Sequence, residues 1–210
     1  MEFNLSLVLH STIALITILN PIAAASIMIS LVNSIKEIPS VAFKASITVL
    51  IASLITLFFG EAIFKFFGIN VLSIKVIGGV ILMLIAINMA YGQGSKSRHT
   101  PEEESEAQEK DDISIVPLAI PILFGPGVIA TIVVLNNNLS HTYSPKLSYL
   151  TISISILIST IVVYLTLRYG GAIKRFLGIT GMKILTRIMG LIVGAIAAQF
   201  LIGGVKGLWG

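Results

Sequence analysis

The chain contains no cysteine, which excludes disulfides and thiolate metal sites. It is also poor in charge. Only 11% of its 210 residues are Asp, Glu, Lys or Arg, whereas soluble domains carry about 25%. The formal net charge is +4, and the basic residues flank apolar runs instead of forming a stripe, so nucleic acid is not an expected partner. Signatures of catalysis are missing as well. His10, His99 and His141 are scattered, with no HExxH spacing. Gly92-Gln93-Gly94-Ser95-Lys96-Ser97 lacks the spacing of a phosphate-binding loop, and there is no GxSxG nucleophile elbow. No metal or cofactor is expected, and neither an enzyme nor an ATP-driven pump finds support.

What remains is apolar. Hydrophobic residues make up 55% of the chain, and the mean hydropathy is +0.97. Six runs are long enough to cross a bilayer: about Leu5 to Leu31, Ala45 to Phe64, Val71 to Tyr91, Ile113 to Leu135, Leu147 to Leu167 and Ile184 to Ile202. In hydrocarbon a spanning segment must satisfy its own backbone, so these runs predict an all-α integral membrane protein of the cell (inner) membrane. Met1-Glu2-Phe3-Asn4 has no basic n-region, and the run behind it is too long for a cleaved signal, so it is read as a retained first span. The one long polar stretch, 92–112, holds Glu102, Glu103, Glu104, Glu106, Glu109, Asp111 and Asp112. With almost nothing apolar to bury, it is expected to be a flexible linker between units 1–91 and 113–210. Asn136-Asn137-Asn138 is expected to be a turn and Arg168 to Lys183 a basic loop.

Basic residues predict orientation. Lys36, Lys44, Lys96, Arg98, Lys110, Arg168, Lys174, Arg175, Lys183 and Arg187 fall on one side, and Lys65, Lys75, Lys146 and Lys206 on the other. The richer side is expected to be cytoplasmic, which puts the linker inside and both termini outside.

The two halves are alike. Lys65-Phe66-Phe67-Gly68-Ile69 matches Arg175-Phe176-Leu177-Gly178-Ile179, and Lys75-Val76-Ile77-Gly78 resembles Arg187-Ile188-Met189-Gly190. Three spans per half force opposite orientations, so the reading is two inverted three-helix repeats, a pattern of secondary transporters. The first span of each half is interrupted. Asn20-Pro21 lies in the middle of the first run, and Pro117, Pro121, Gly125, Pro126 and Gly127 crowd the fourth. Proline removes a donor and clashes with the preceding turn, and it is favoured at the first position of a helix after an Asn or Gly cap. Spans 1 and 4 are therefore expected to be broken helices. Each half-helix N-terminus would present free N–H groups and a positive dipole end, which suits a carboxylate.

Other candidates at membrane depth are Asn88, Arg187 and Gln199. The two amides could bond substrate or only join helices. Arg187 could meet a carboxylate or an internal carbonyl, or snorkel to the surface. Glu61, Lys65 and Lys75 read as an interfacial charge group. Gly78, Gly79, Gly190 and Gly194 give small helix faces for close packing.

Asn20-Pro21, Gly78-Gly79, Val116-Pro117-Leu118-Ala119-Ile120-Pro121 with Gly125-Pro126-Gly127, Arg187-Ile188-Met189-Gly190 and Gln199 resemble the MarC family of bacterial and archaeal membrane proteins. The likeness covers nearly the whole chain outside the acidic linker. The family takes its name from a multiple antibiotic resistance locus, some relatives are described as small neutral amino acid transporters, and it is grouped with exporters of the lysine-exporter type. The resemblance thus implies a small zwitterionic substrate such as glycine or alanine. Drug efflux is implied by the name and by no residue here. Expected partners are the bilayer and that substrate, with a homo-oligomer left open. A non-transporting structural or regulatory protein, or an exporter of another solute or ion, are the alternatives; the absence of deep acidic or His ligands weakens the ion reading.

Overall fold

A computed structural model describes residues 5–32, 34–91 and 113–209; the acidic linker lies outside them. Among the described residues the chain is helical and has no strand. The helices are α1 (Leu5–Leu19), α2 (Pro21–Leu31), α3 (Ile38–Phe66), α4 (Val71–Ala90), α5 (Pro126–Thr142), α6 (Pro145–Arg168) and α7 (Gly170–Trp209). A 3-10 turn, Ile35–Glu37, precedes α3, and a π-type segment, Ser114–Leu123, precedes α5. Five stretches are long and apolar enough to cross a membrane, with α1 and α2 counted as one. The Ser114–Leu123 segment and α5 together make a sixth, bent by 56°.

Local signals explain most boundaries. Asn70 accepts the Ser73 N–H at 2.7 Å and starts α4. Ser144 accepts the Leu147 N–H and is followed by Pro145 at the first helical position of α6, the favoured place for a ring that donates no hydrogen bond.

Two expected loops are helical instead. Asn136-Asn137-Asn138 lies inside α5, which runs on to Thr142. Asn136 is buried, and its side-chain and backbone oxygens both accept from Ser148 Oγ, at 2.7 and 2.8 Å; this pairing with α6 outweighs the weak helix propensity of asparagine. The basic stretch from Gly170 onward belongs to α7, interrupted only at Gly178 (φ 65). Gly68, its counterpart in the matching motif, also takes a left-handed φ, 71. Only glycine enters that region without penalty.

The bundle has an apolar core into which small and hydroxyl-bearing residues are set, and its outer face is apolar as well. On α3, Ser46, Val49, Ser53, Thr56 and Gly60 are buried while Ile47, Ile51, Ile55 and Phe58 are exposed. Lipid offers no hydrophobic drive for helix association, so close approach and interhelical hydrogen bonds carry it. Ser155 Oγ donates to the Val8 carbonyl at 3.2 Å and Ser159 Oγ to the Thr12 carbonyl at 3.4 Å. Both pairs keep one offset, so α1 and α6 run parallel. Among the five stretches, Leu5–Leu31 is the most enclosed: 61% of its apolar window is buried, against 44% for Pro145–Arg168.

The pair α4 and α7 packs backbone to backbone. A Cβ on Gly79 would fall 2.9 Å from the Leu201 nitrogen, one on Gly190 3.0 Å from the Ala90 nitrogen, and one on Gly204 3.0 Å from the Val76 nitrogen. Numbers rise on one helix as they fall on the other, so α4 and α7 are antiparallel. So are α3 and α6, where Phe58 stacks on Tyr149 and Phe43 meets Tyr164 edge-on. Gly78 faces α5, its Cβ position 2.5 Å from Ala130 Cβ, and Gly194 faces Ala86 at 3.4 Å.

Candidate functional site

The site is built around two interruptions. At the first, Asn20 sits between α1 and α2 with φ 47 and ψ 59, the one non-glycine residue among those described with a positive φ. The residue before a proline is pushed away from the right-handed helix, and asparagine tolerates the left-handed one. Its N–H still reaches Ile16 O at 3.0 Å, and its own carbonyl accepts from Ala24 at 3.2 Å. The side chain accepts the Ala23 N–H at 3.5 Å and donates to Met89 Sδ on α4 at 3.7 Å. Asn20 and Pro21 are both buried.

The second interruption is deeper. Val116 and Ile120, the residues before Pro117 and Pro121, are extended (φ −123, ψ 123 and φ −127, ψ 120), as their proline neighbours require; both of these X–Pro peptide bonds are cis. The Leu118 N–H reaches Ile113 O and the Phe124 N–H reaches Ala119 O, each five residues back. Gly125 is extended, and Pro126 starts α5 at its first position. Gly127 follows where a helix has no partner of its own for the N–H.

A cavity of about 230 Å³ opens at this point, lined by Pro121, Gly125, Pro126, Gly127 and, across from them, Ile81 and Ile85 of α4. Ile18 completes the wall, two residues before Asn20. The lining is chiefly apolar, and the helix N-terminus supplies its polar face. A Cβ on Gly125 would meet the Pro121 carbonyl at 3.2 Å, and one on Gly127 would meet Leu82 Cδ2 at 2.9 Å. Gly127 thus serves the packing of α5 on α4 as well as the cavity.

The structure gathers some sequence-predicted residues here and leaves others apart. Gly125, Pro126 and Gly127 line the cavity; Asn20 and Pro21 do not, and Asn20 instead meets Met89 of α4. Asn88 is half-buried and Arg187 exposed, and neither lines this cavity. Gln199 lines a second pocket of about 290 Å³ with His10, Lys75, Thr131 and Asn138. Lys75 therefore does not join an interfacial group with Glu61 and Lys65, which pair with each other at 2.7 Å. Sequence reasoning missed His10, Thr131 and Asn138 because their grouping with Lys75 and Gln199 depends on four different spans.

A bundle of helices apolar on their outer faces and long enough to cross a bilayer, with its first and fourth spans interrupted, defines a multi-pass integral membrane protein. The chain belongs to the MarC family: the family model for MarC family integral membrane proteins matches residues 5–209. It is similar to a UPF0056 membrane protein of Aquifex aeolicus, 34% identical over 209 residues that cover 99% of this chain and 95% of the relative. A UPF0056 membrane protein of Methanocaldococcus jannaschii is 39% identical over 196 residues, 92% of this chain and 93% of its own. The Bacillus subtilis protein YvbG, another UPF0056 membrane protein, is 35% identical over 208 residues, 97% and 96%. No solved structure matches the chain.

Proposed function

We propose that this protein is a secondary transporter of small neutral amino acids such as glycine or alanine, in uptake or export, built as two inverted three-helix repeats around its two interruptions. The observation that carries the reading is the cavity at the second interruption, which the N-terminus of α5 faces and Ile18 closes from the first. Such a terminus favours a carboxylate, and the apolar remainder suits a short aliphatic side chain. The volume, about 230 Å³, lies below the roughly 300–1,000 Å³ of pockets for drug-sized ligands, which favours a small solute over a drug.

The inverted repeat is supported by three observations. The third spans of the halves pair antiparallel, as do the second spans. Gly68 and Gly178, equivalent in the sequence match, share a left-handed φ. And each first span is interrupted just before a proline that starts a helix. The basic-residue asymmetry puts both termini outside the cytoplasm. Cysteines placed singly at Ser105 and Ser144 should then label from opposite sides, Ser105 from the cytoplasm alone; labelling of Ser105 in intact cells would refute this orientation.

The direct test is uptake of labelled glycine and alanine into proteoliposomes, under proton and sodium gradients. The proposal expects uptake above protein-free vesicles, competed by the free acids and far less by glycinamide. Correctly inserted protein that moves neither amino acid under any gradient would favour the packed, non-transporting alternative.

A further inference from the structure

The second pocket has a composition unlike the rest of the bundle. His10 from α1, Lys75 from α4, Thr131 and Asn138 from α5 and Gln199 from α7 converge on about 290 Å³. Four elements supply five polar side chains, at the end of the bundle where α1 begins and α5 ends. Lys75 is its fixed cation. Its ammonium is seated close to α7: a Cβ on Gly203 would lie 3.0 Å from Lys75 Nζ, so the absence of a side chain at Gly203 makes the room. The described carboxylates are Glu37 and Glu61. Glu61 is taken by Lys65, and Lys75 forms no ion pair among the described residues. Lys75 stands one turn into α4, where an ionised side chain pairs with an opposite charge, snorkels to the surface or marks a solute pathway. Among the described residues the pocket brings together a cation and amide donors, and no carboxylate.

We propose that this pocket is an anion site for the carboxylate of a small solute, with Lys75 as the charge partner and Gln199 and Asn138 as amide donors. It is distinct from the cavity at the second interruption. Yet it lies one turn along the same helix: Thr131, in the pocket wall, donates to the carbonyl of Gly127, in the cavity wall, at 2.7 Å. One helical turn is about 5.4 Å, so Thr131 in the pocket and Gly127 in the cavity lie about that far apart along α5. The site does not rest on transport through that cavity.

The chain has no cysteine, so a single Asn138→Cys reports on the pocket directly. In purified full-length protein in lipid nanodiscs, its labelling rates with an anionic and a cationic methanethiosulfonate of similar size are compared. The anionic reagent should be favoured, and Lys75→Gln should lower the anionic-to-cationic ratio about tenfold, at the low end of what a focused charge does to encounter rates. Lys75→Arg should preserve the ratio, which separates charge from folding. Sodium acetate and glycine should slow labelling when Lys75 is present, and glycinamide should not. A ratio indifferent to Lys75→Gln would place the ammonium among lipid headgroups and overturn the proposal, as would equal protection by glycine and glycinamide. Because the reporter reads occupancy and not flux, failed transport with intact protection would refute the transporter reading alone.

Discussion

The two interruptions carry the same signature, an Asn or Gly followed by a helix-starting proline, and differ in depth. At Asn20 the helix is barely parted. One left-handed residue absorbs the change, its backbone bonds on both sides survive, and its side chain caps the next turn. At Gly125 the segment bends by 56° and a cavity opens. The difference lies upstream. Before Asn20 stand Ile16-Thr17-Ile18-Leu19, which hold a regular helix; before Gly125 stand Pro117 and Pro121, which force Val116 and Ile120 into extended backbone. A single proline after a tolerant asparagine makes a joint, whereas prolines repeated every turn make a doorway. The first interruption accordingly contributes a wall through Ile18, and the second contributes the mouth.

The largest effect should come from closing the mouth. Gly127→Leu drives a side chain between α5 and α4, its Cβ 2.9 Å from Leu82 Cδ2 and 3.4 Å from Ile85 Cδ1 in the cavity wall. Glycine uptake should fall at least about tenfold, with overpacking costing roughly 1–3 kcal/mol in thermal melts. Normal uptake in a folded variant would show that the cavity is not on the route. A smaller effect is expected at the joint. Asn20→Ala loses the cap, about 1 kcal/mol, and puts alanine in the left-handed region, about 1–2 kcal/mol more. Asn20→Gly keeps the conformation and should cost only a few tenths. Equal melting temperatures for the two variants would contradict the description of the joint. The smallest effects concern the repeat. Gly68→Ala and Gly178→Ala each meet open space at positive φ, so each should cost about 1–3 kcal/mol from backbone conformation alone. A cost at one and none at the other would break their equivalence.

Much of this was legible in the sequence because it is local. Apolar run length gave the spans, and proline marked both interruptions. The repeated charged-aromatic-Gly-Ile motif pointed to Gly68 and Gly178. Other features were not legible because they depend on neighbours. Asn136-Asn137-Asn138 has the composition of a turn, and only the Ser148 hydroxyl, contributed by α6, explains its place in a helix. The basic stretch after Arg168 reads as a loop, yet it forms two helical pieces joined by a kink at Gly178. Lys75 stands near Glu61 and Lys65 in sequence, but helix geometry turns it toward Gln199. Gly127 was marked for ligand approach, and its packing against Leu82 needed the position of α4.

The central claim is that the joint and the doorway serve one site. Calorimetric binding of glycine to purified wild type, Pro21→Ala and Gly127→Leu tests it most directly. Alanine at position 21 lets span 1 run on as one helix, which resets the stretch that carries Ile18 in the cavity wall. The account predicts that both substitutions weaken binding at least about tenfold, or 1.4 kcal/mol. Glycine binding that survives unchanged in both variants would contradict it.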